Sequence, residues 1–278
     1  MPSVSTRPLT PALAPFVTGL HYLEADVDRA APAALERILP SGRVHVMVNL
    51  HEDEFRTYHG GRSDTVRRCR GAVLEGPASG ARVIDTGLMR CLMSVDFALG
   101  GAAAFFKLPL SEAEDELVEL DLVWRADGAS LRERMLDAPT PAAKLRVLER
   151  VLVDHLVRRG EPDRAATGAA SLLERGTPVA NVASHVGLLP RTLVRRFRTS
   201  FGLTPKRFSR VRRLQRVIGS LPAGDVDWCE VAAVHGYSDQ AHLVHDFREL
   251  TGITPTAYRA RSADARNHVP MRSGSDPD

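Results

Sequence analysis

Two arginines four residues apart, Arg191 and Arg195, have the side chains and the spacing needed to read the edge of a base pair. Residues three or four positions apart share one face of a helix, so both guanidinium groups would point the same way. A guanidinium fork matches the O6 and N7 acceptors of guanine, and one such pair discriminates between bases by about 1–3 kcal/mol. Ten basic residues and no acidic residue lie between Pro190 and Arg216. The pair therefore indicates contact with the major groove of DNA.

Other side chains around this pair are better suited to the DNA backbone than to the bases. Phosphate contacts position a protein on DNA without reading its sequence. Val194 is the exception, because it lies on the same face as the two arginines and is assigned to a base edge. The residues assigned to phosphate contacts are Thr192, Arg196, Arg198, Lys206 and Arg207.

The sequence around the arginine pair occurs a second time, with an offset of 49 residues before a shared glycine and 50 after it. Each copy reads as a short helix, a glycine turn and a second helix, followed by Gly-x-Thr-Pro. This pattern is typical of a tandem helix-turn-helix. The shared positions are Gly187, Leu193, Phe197 and Gly202 in the first unit and Gly236, Leu243, Phe247 and Gly252 in the second. Two such units can enter two consecutive major grooves without a dimer.

The second unit has fewer side chains that can form hydrogen bonds with bases. Its groove-facing positions are Ala241, Val244 and His245. The first two can contact a thymine methyl group, and His245 can donate to a base or a phosphate. Gln240 and His242 are assigned to backbone contacts only. We expect the second unit to add affinity with a weaker sequence preference.

The 278 residues are enough for about two domains. Residues 1–160 predict a β-rich domain, since apolar residues alternate from Val44 to Leu50 and short strand patterns follow between glycines. Helices end this domain. Residues 163–261 predict an all-α domain with its two units at about 178–201 and 228–251. Residues 262–278 are polar and are expected to be disordered.

A long helix over 141–159 is predicted by Thr140 as its N-cap and Pro141 in its first turn. Its apolar residues form a stripe that must be buried. The sequence leaves two alternatives open: the stripe packs on the β-rich domain, or it forms a homodimer interface. The stripe contains Leu145, Leu148, Val151, Leu152 and Leu156.

Charge and cysteine content restrict the class of protein. The net charge is +3, but residues 163–262 hold 15 Arg or Lys and 8 Asp or Glu. The positive charge therefore lies in the predicted helix-turn-helix region, as nucleic-acid binding requires. Three widely spaced cysteines suggest reduced thiols, and no signal or membrane-spanning run is present, which predicts a cytoplasmic protein.

The repeated units closely resemble the AraC/XylS family of bacterial transcription regulators. The resemblance covers about residues 163–261, and its most specific stretch is 236–258, GYSDQAHLVHDFRELTGITPTAY. It implies a DNA-binding domain of seven helices that binds double-stranded DNA at promoters and recruits RNA polymerase. It also implies a separate N-terminal domain that senses a small-molecule effector or dimerises. Segments 39–50 and 95–106 are loosely similar to cupin-like sensor domains, so the expected fold class is α+β.

Two other classes of protein remain to be compared with a sequence-specific regulator. A barrel enzyme fused to a DNA-binding domain is disfavoured, because the sequence lacks a nucleophile elbow, a phosphate loop, a Cys-Cys metal box and the His-x-His pair of metal cupins. We therefore expect no enzyme activity, no metal and no cofactor. An architectural protein without sequence preference is disfavoured by the modest net charge. For an effector pocket, the sequence suggests Met47, Asn49, Met93 and Phe97.

Overall fold

The computed structural model describes residues 3–6, 8–24, 35–58, 66–156, 162–222 and 224–271. Two antiparallel sheets form the β-rich domain. Their strands are β1 (Ser3–Thr6), β2 (Val17–Glu24), β3 (Leu35–Ile38), β4 (His45–Asn49), β5 (Phe55–Tyr58), β6 (Val66–Cys69), β7 (Ala72–Glu75), β8 (Arg82–Asp85), β9 (Cys91–Phe97), β10 (Leu117–Glu119) and β11 (His268–Pro270). The six-stranded sheet has the order β1-β2-β9-β4-β7-β10, and the five-stranded sheet has the order β11-β3-β8-β5-β6.

The alternation of apolar residues in β4 gives its two faces different roles. Val46 and Val48 are fully buried in the main core of the domain, whereas Met47 between them is half-buried and faces the other way. The main core lies between the six-stranded sheet and three helices, α1 (Leu120–Trp124), α2 (Ala126–Leu136) and α3 (Pro141–His155). Met47 instead packs with the small cluster around Phe55 and Val73.

Helix α3 begins as the sequence predicts, and its apolar stripe is buried within the chain. The hydroxyl of Thr140 accepts a hydrogen bond from the amide of Ala143 at 3.1 Å, with Pro141 in the first turn. Leu145, Leu148, Val151 and Leu152 are all at most 1% exposed in the main core. The stripe therefore packs on the β-rich domain. A homodimer through this stripe would require that packing to be taken apart, and a homodimer through helix 141–159 stays a prediction. The helix ends at His155, and residues 157–160 lie outside the described residues.

The C-terminal domain is all-α and repeats one arrangement of three helices. Its helices are α4 (Arg164–Glu174), α5 (Val179–His185), α6 (Pro190–Phe201), α7 (Pro205–Ser220), α8 (Trp228–Val234) and α9 (Gln240–Thr251). In each repeat the first helix supports a helix-turn-helix pair, α5–α6 or α8–α9. The family resemblance implied seven helices, and the described residues of this domain form six α-helices followed by a short 3₁₀ turn at Pro255–Ala257.

The turns of both helix-turn-helix units depend on glycine. Gly187 has φ of +66° and Gly236 has φ of +72°, and both lie in the left-handed region that side chains with a Cβ avoid. In each turn the residue after the glycine donates its amide to a carbonyl of the preceding helix, Ala183 or Ala232. The shared glycine of the sequence repeat thus corresponds to one shared backbone conformation.

The polypeptide after the last helix returns to the β-rich domain. We call residues 259–271 the C-terminal extension. Its strand β11 pairs with β3, with Val269 opposite Arg37, and the amide of Met271 donates to the carbonyl of Leu35 at 2.9 Å. Val269 is only 7% exposed and packs in a core cluster that includes Leu39 of the β-rich domain and residues of α7 and α9.

The expectation of a disordered tail over 262–278 is therefore wrong for residues 262–271, and residues 272–278 lie outside the described residues. The expectation rested on polar composition. Pairing along a sheet edge uses backbone groups, which every sequence supplies, so a polar segment can still form a strand where an edge is available.

Further hydrogen bonds join the two domains. The side-chain amide of Gln215 on α7 donates to the carbonyl of Pro40 at 2.8 Å. The amide of Ala81 donates to the carbonyl of Leu250 on α9 at 2.8 Å. Helices α7 and α9 are thus held directly on the β-rich domain.

Candidate nucleic-acid interface

Helix α6 presents the base-reading residues predicted for the first unit on its outer face. Arg191, Val194 and Arg195 are exposed, while Leu193 and Phe197 are at most 3% exposed in the domain core. Leu193 and Phe197 are four positions apart and both face the core, so the other side of the helix remains exposed, as the helical spacing predicts. Pro190 in the first turn lacks the amide hydrogen that a helix start would leave unpaired, so it favours the start of α6 here.

Helix α9 repeats this geometry with different side chains. Ala241 and His245 are exposed and Val244 is half-buried, with Leu243 and Phe247 at most 1% exposed beneath them. The imidazole of His245 is 80% exposed, and its Nε2 lies 3.7 Å from a carboxylate oxygen of Glu249. The outer face of α9 therefore carries two small apolar side chains and an imidazole where α6 carries two guanidinium groups and a valine.

The residues predicted to contact phosphate fall into two groups. Arg198 and Lys206 are exposed, and Thr192 is half-buried. The others are already engaged by protein groups. The side-chain oxygen of Gln240 accepts from the thiol of Cys229 at 3.2 Å, and Nδ1 of His242 lies 3.1 Å from the hydroxyl of Ser238.

Arg196 is held by Asp163, which the sequence analysis did not connect to it. Its guanidinium group donates two hydrogen bonds to this carboxylate, at 2.6 and 2.7 Å. Asp163 also caps α4 by accepting from the amides of Ala165 and Ala166. Burial raises the pKa of Asp163, but these hydrogen bonds outweigh it and leave the pKa below its ordinary value. Arg196 thus ties α6 to α4, and any phosphate would have to compete with Asp163 for it.

Arg207 is engaged by the β-rich domain. Its guanidinium group forms an ion pair with the carboxylate of Glu114. Glu114 follows the 3₁₀ turn Leu110–Ala113, which packs against α6. Pro109 and Ser111 border an open cleft whose other wall is the outer face of α6, including Arg191 and Arg195. The β-rich domain therefore lies beside the first recognition helix.

Helix α9 is held on α7 by an ion pair in which α9 supplies the acidic residue, whereas α6 supplies the arginine in the first unit. The guanidinium group of Arg210 donates to Asp246 at 2.7 Å and to Glu249 at 2.7 Å. Asp246 is 3% exposed and also accepts from the hydroxyl of Tyr237 at 3.1 Å. The hydrogen bond with Glu249, then that with Asp246, raises the pKa of Arg210, and burial raises that of Tyr237. The sequence repeat indicates this pair, because Asp246 stands in the second unit at the position that corresponds to Arg196 in the first.

A cavity of about 660 Å³ lies apart from the outer faces of α6 and α9. Both sheets and the C-terminal extension line it. Of the residues suggested for an effector pocket, Met47 lines the cavity. Asn49, Met93 and Phe97 do not, since they are at most 6% exposed in the body of the β-rich domain. The two faces of β9 differ: Leu92, Ser94 and Asp96 point into this cavity, and the alternate residues point into the main core.

Two histidines of the β-rich domain, His45 and His21, contact the same carboxylate. Nδ1 of His45 lies 3.2 Å from Asp96, whose other oxygen lies 3.0 Å from Nε2 of His21. Burial lowers the pKa of His45, but the hydrogen bond with Asp96 and the charge of Glu75 outweigh it and leave the pKa raised. Within the described part of the chain, no three His, Cys, Asp or Glu residues are grouped so as to hold a metal ion.

These features define a class: a β-rich domain followed by two helix-turn-helix units, the plan of a DNA-binding transcription regulator. Family comparison agrees. Residues 182–261 match the family model described as a helix-turn-helix domain, and residues 6–119 match a domain of unknown function, DUF6597. The helix-turn-helix domain is of the AraC type, so the recognition made from the sequence is confirmed.

Among solved structures, several of ToxT from Vibrio cholerae are similar to this chain. An apo ToxT variant has a TM-score of 0.44 and 9% identity over 91% of this chain and 98% of that one. A second crystal form of ToxT has a TM-score of 0.44 and 10% identity over 87% and 97%. ToxT with a bound unsaturated fatty acid has a TM-score of 0.42 and 9% identity over 91% and 96%. No curated protein sequence matches this chain.

No helix in the described ranges combines the length and the apolar character needed to cross a bilayer.

Proposed function

We propose that this regulator binds specific DNA sequences by inserting α6 and α9 into consecutive major grooves, with α6 supplying most of the base recognition. The observation that carries the proposal is the outer face of α6, where Arg191, Val194 and Arg195 stand exposed above a buried core. Arginine is the side chain best matched to guanine in the major groove. Ala241, Val244 and His245 on α9 would add contacts of lower specificity.

The proposal also covers the other parts of the molecule. Arg198 and Lys206 are exposed and would contact phosphate. The cavity in the β-rich domain has the volume of an ordinary small-molecule site, which supports an effector. By the family resemblance, the regulator would recruit RNA polymerase at promoters in the cytoplasm and would not act as an enzyme. Dimerisation through α3 forms no part of the proposal.

Selection of bound sites from fragmented genomic DNA tests sequence specificity. The wild-type chain is compared with the double variant Arg191→Ala/Arg195→Ala. The matched control is Arg175→Ala/Arg259→Ala, which removes two exposed arginines of the same domain that lie outside α6. We expect a discrete motif of about two helical turns, kept by the control and lost by the α6 variant.

Recovery of diffuse sequences by the wild-type chain, with both variants weakened to the same extent, would contradict the proposal. That result would instead indicate an architectural DNA-binding protein, whose affinity depends on total charge rather than on base contacts.

A further inference from the structure

Helix α6 begins differently from the other long helices of the DNA-binding domain. Helices α4, α7 and α9 each start at a side-chain cap, where Asp163, Thr204 and Asp239 accept hydrogen bonds from amides of the first turn. Leu189 stands at the N-cap of α6 and forms no such bond. Leucine is among the poorest N-cap residues, because it has no acceptor for the unpaired amides of a helix start. The stability of the helix start therefore does not explain this leucine.

The sequence repeat shows what the same position does in the second unit. With the offset of 50 residues that holds after the shared glycine, Leu189 corresponds to Asp239. The carboxylate of Asp239 accepts a hydrogen bond from the amide of His242 at 2.7 Å. This place in the fold therefore accommodates a polar cap, and the first unit has an apolar side chain there instead.

Packing in the core does not explain Leu189 either, since this residue is 75% exposed. Its neighbour Leu188 is half-buried and packs against the core cluster of the first unit. Leu193, one turn into the helix, is 3% exposed in that core. Leu189 lies between these two along the chain and stays outside the core. A single exposed leucine is common on protein surfaces, so its meaning depends on where it stands.

Leu189 stands at the end of α6 that would enter the DNA. In a helix-turn-helix, the N-terminal residues of the second helix contact base edges in the major groove. Arg191 follows Leu189 by two residues, and both are exposed. Val194 on the same helix is 40% exposed. The end of α6 therefore presents an exposed apolar side chain close in sequence to the arginines of the proposed base-reading face.

The major groove offers one apolar group to a protein, the C5-methyl group of thymine. An apolar side chain that packs on this methyl group removes both surfaces from water, which favours the contact. Guanine, the base best matched to arginine, presents only the polar acceptors N7 and O6 on this edge. Leu189 is therefore complementary to a thymine that lies beside the bases read by Arg191 and Arg195.

We propose that Leu189 contacts the methyl group of one thymine in the operator and is a specificity-determining residue of the first unit. The inference rests on the proposed function, because it requires α6 to enter the major groove. It adds a preference for one thymine to the guanine contacts of the arginine pair. The first unit thus gives up the helix cap that the second unit keeps at Asp239, and has a further base contact in its place.

The test uses the full-length protein and the operator that the wild-type chain selects. Each thymine of the operator is replaced singly by deoxyuridine, which lacks only the methyl group, and Kd is measured by fluorescence anisotropy at one fixed salt concentration. We expect one replacement to weaken wild-type binding about fourfold, the contribution of one buried methyl group. The same replacement should leave the Kd of Leu189→Ser unchanged, since this variant has no apolar side chain for the methyl group to contact.

Further variants separate base recognition from folding. Leu189→Met keeps an apolar side chain and should keep the difference between thymine and uracil. Serine is a preferred N-cap residue, so Leu189→Ser should not lower the melting temperature Tm. Leu122→Ser is the matched control, because Leu122 is 73% exposed and lies on α1 of the β-rich domain. The control should bind every operator as the wild type does.

The same discrimination against uracil in the wild type and in Leu189→Ser, at every thymine, would overturn the inference. A lower Tm of Leu189→Ser with an equal loss of affinity on all sequences would also overturn it, by assigning Leu189 to folding. A discrete operator that depends on Arg191 and Arg195 but not on Leu189 would contradict this inference alone. A wild-type chain that selects no discrete operator would contradict the proposed function as well, so the two failures give separate results.

Discussion

The two helix-turn-helix units have the same backbone and opposite charge character. Helices α6 and α9 have 12 residues each, and the helices before them have seven each. Helix α6 carries four arginines and no acidic residue, whereas α9 carries Asp246 and Glu249 beside Arg248. The buried positions of the repeat are therefore shared, and the outward positions have diverged. This difference is the basis of the proposal that α6 supplies most of the base recognition and α9 less.

The ion pair that holds each recognition helix shows the same divergence. Arg196 on α6 binds Asp163, which caps the supporting helix α4. At the equivalent position α9 has Asp246, which binds Arg210 on the supporting helix α7. In each unit the ion pair joins the second helix of the helix-turn-helix to its supporting helix. The arginine lies on α6 in the first unit and on the supporting helix α7 in the second. In the first unit this arrangement withdraws one arginine from the DNA, and in the second it buries an acid that DNA would repel.

The largest effect should come from breaking the ion pair of the second unit. Arg210→Ala leaves the buried carboxylate of Asp246 without its cation, so we expect a loss of about 3 kcal/mol in the free energy of unfolding. Arg196→Ala should cost only about 1 kcal/mol, because that side chain is 39% exposed and Asp163 keeps its cap bonds. Urea unfolding measures both. Equal losses in the free energy of unfolding would mean that the two ion pairs contribute equally to stability despite their different burial.

The next effect concerns base recognition. Arg195→Ala should cost about 1–3 kcal/mol of binding and relax specificity at one base pair. His245→Ala, at the equivalent position of α9, should cost less binding free energy, because its imidazole can make at most one hydrogen bond to a base edge. Binding to a panel of operators with single base changes measures both variants. A loss for Arg195→Ala that is the same on every sequence would assign Arg195 to phosphate instead.

The smallest effect concerns the salt dependence of binding. The first unit has Lys206 and Arg207 at its Gly-x-Thr-Pro motif, where the second has Thr256 and Ala257. Glu114→Gln should free Arg207 for phosphate and make the slope of log K against log salt more negative by about 1, whereas Arg207→Ala should not. Lys206→Ala, which removes a basic residue that is exposed, should make the slope less negative by about 1. A slope unchanged by Glu114→Gln would mean that Arg207 does not reach DNA.

The sequence predicts the repeated helices well because their signals are local. The caps at Thr140 and Asp163, the glycine turns and the buried pairs four residues apart all depend on near neighbours. The partners of Arg196 and Arg207 were missed because they are 33 and 93 positions away, and only the fold brings them close. The residues that line the cavity lie on the more polar face of β9, with Ser94 and Asp96, whereas its apolar face packs in the main core. The alternation separates the two faces, but it does not show that a cavity lies over the polar one.

Strand β11 also affects the order in which the protein can fold. Glu36 and His268 are 232 positions apart, so β3 leaves the ribosome long before its neighbour is made. At a synthesis rate of about 5–20 residues per second, that interval is roughly 10–50 seconds. During it, β3 is the open edge of a sheet, a surface that readily pairs with other chains. A nascent chain of this protein therefore needs protection at β3, and a product that stops before His268 keeps that edge open permanently.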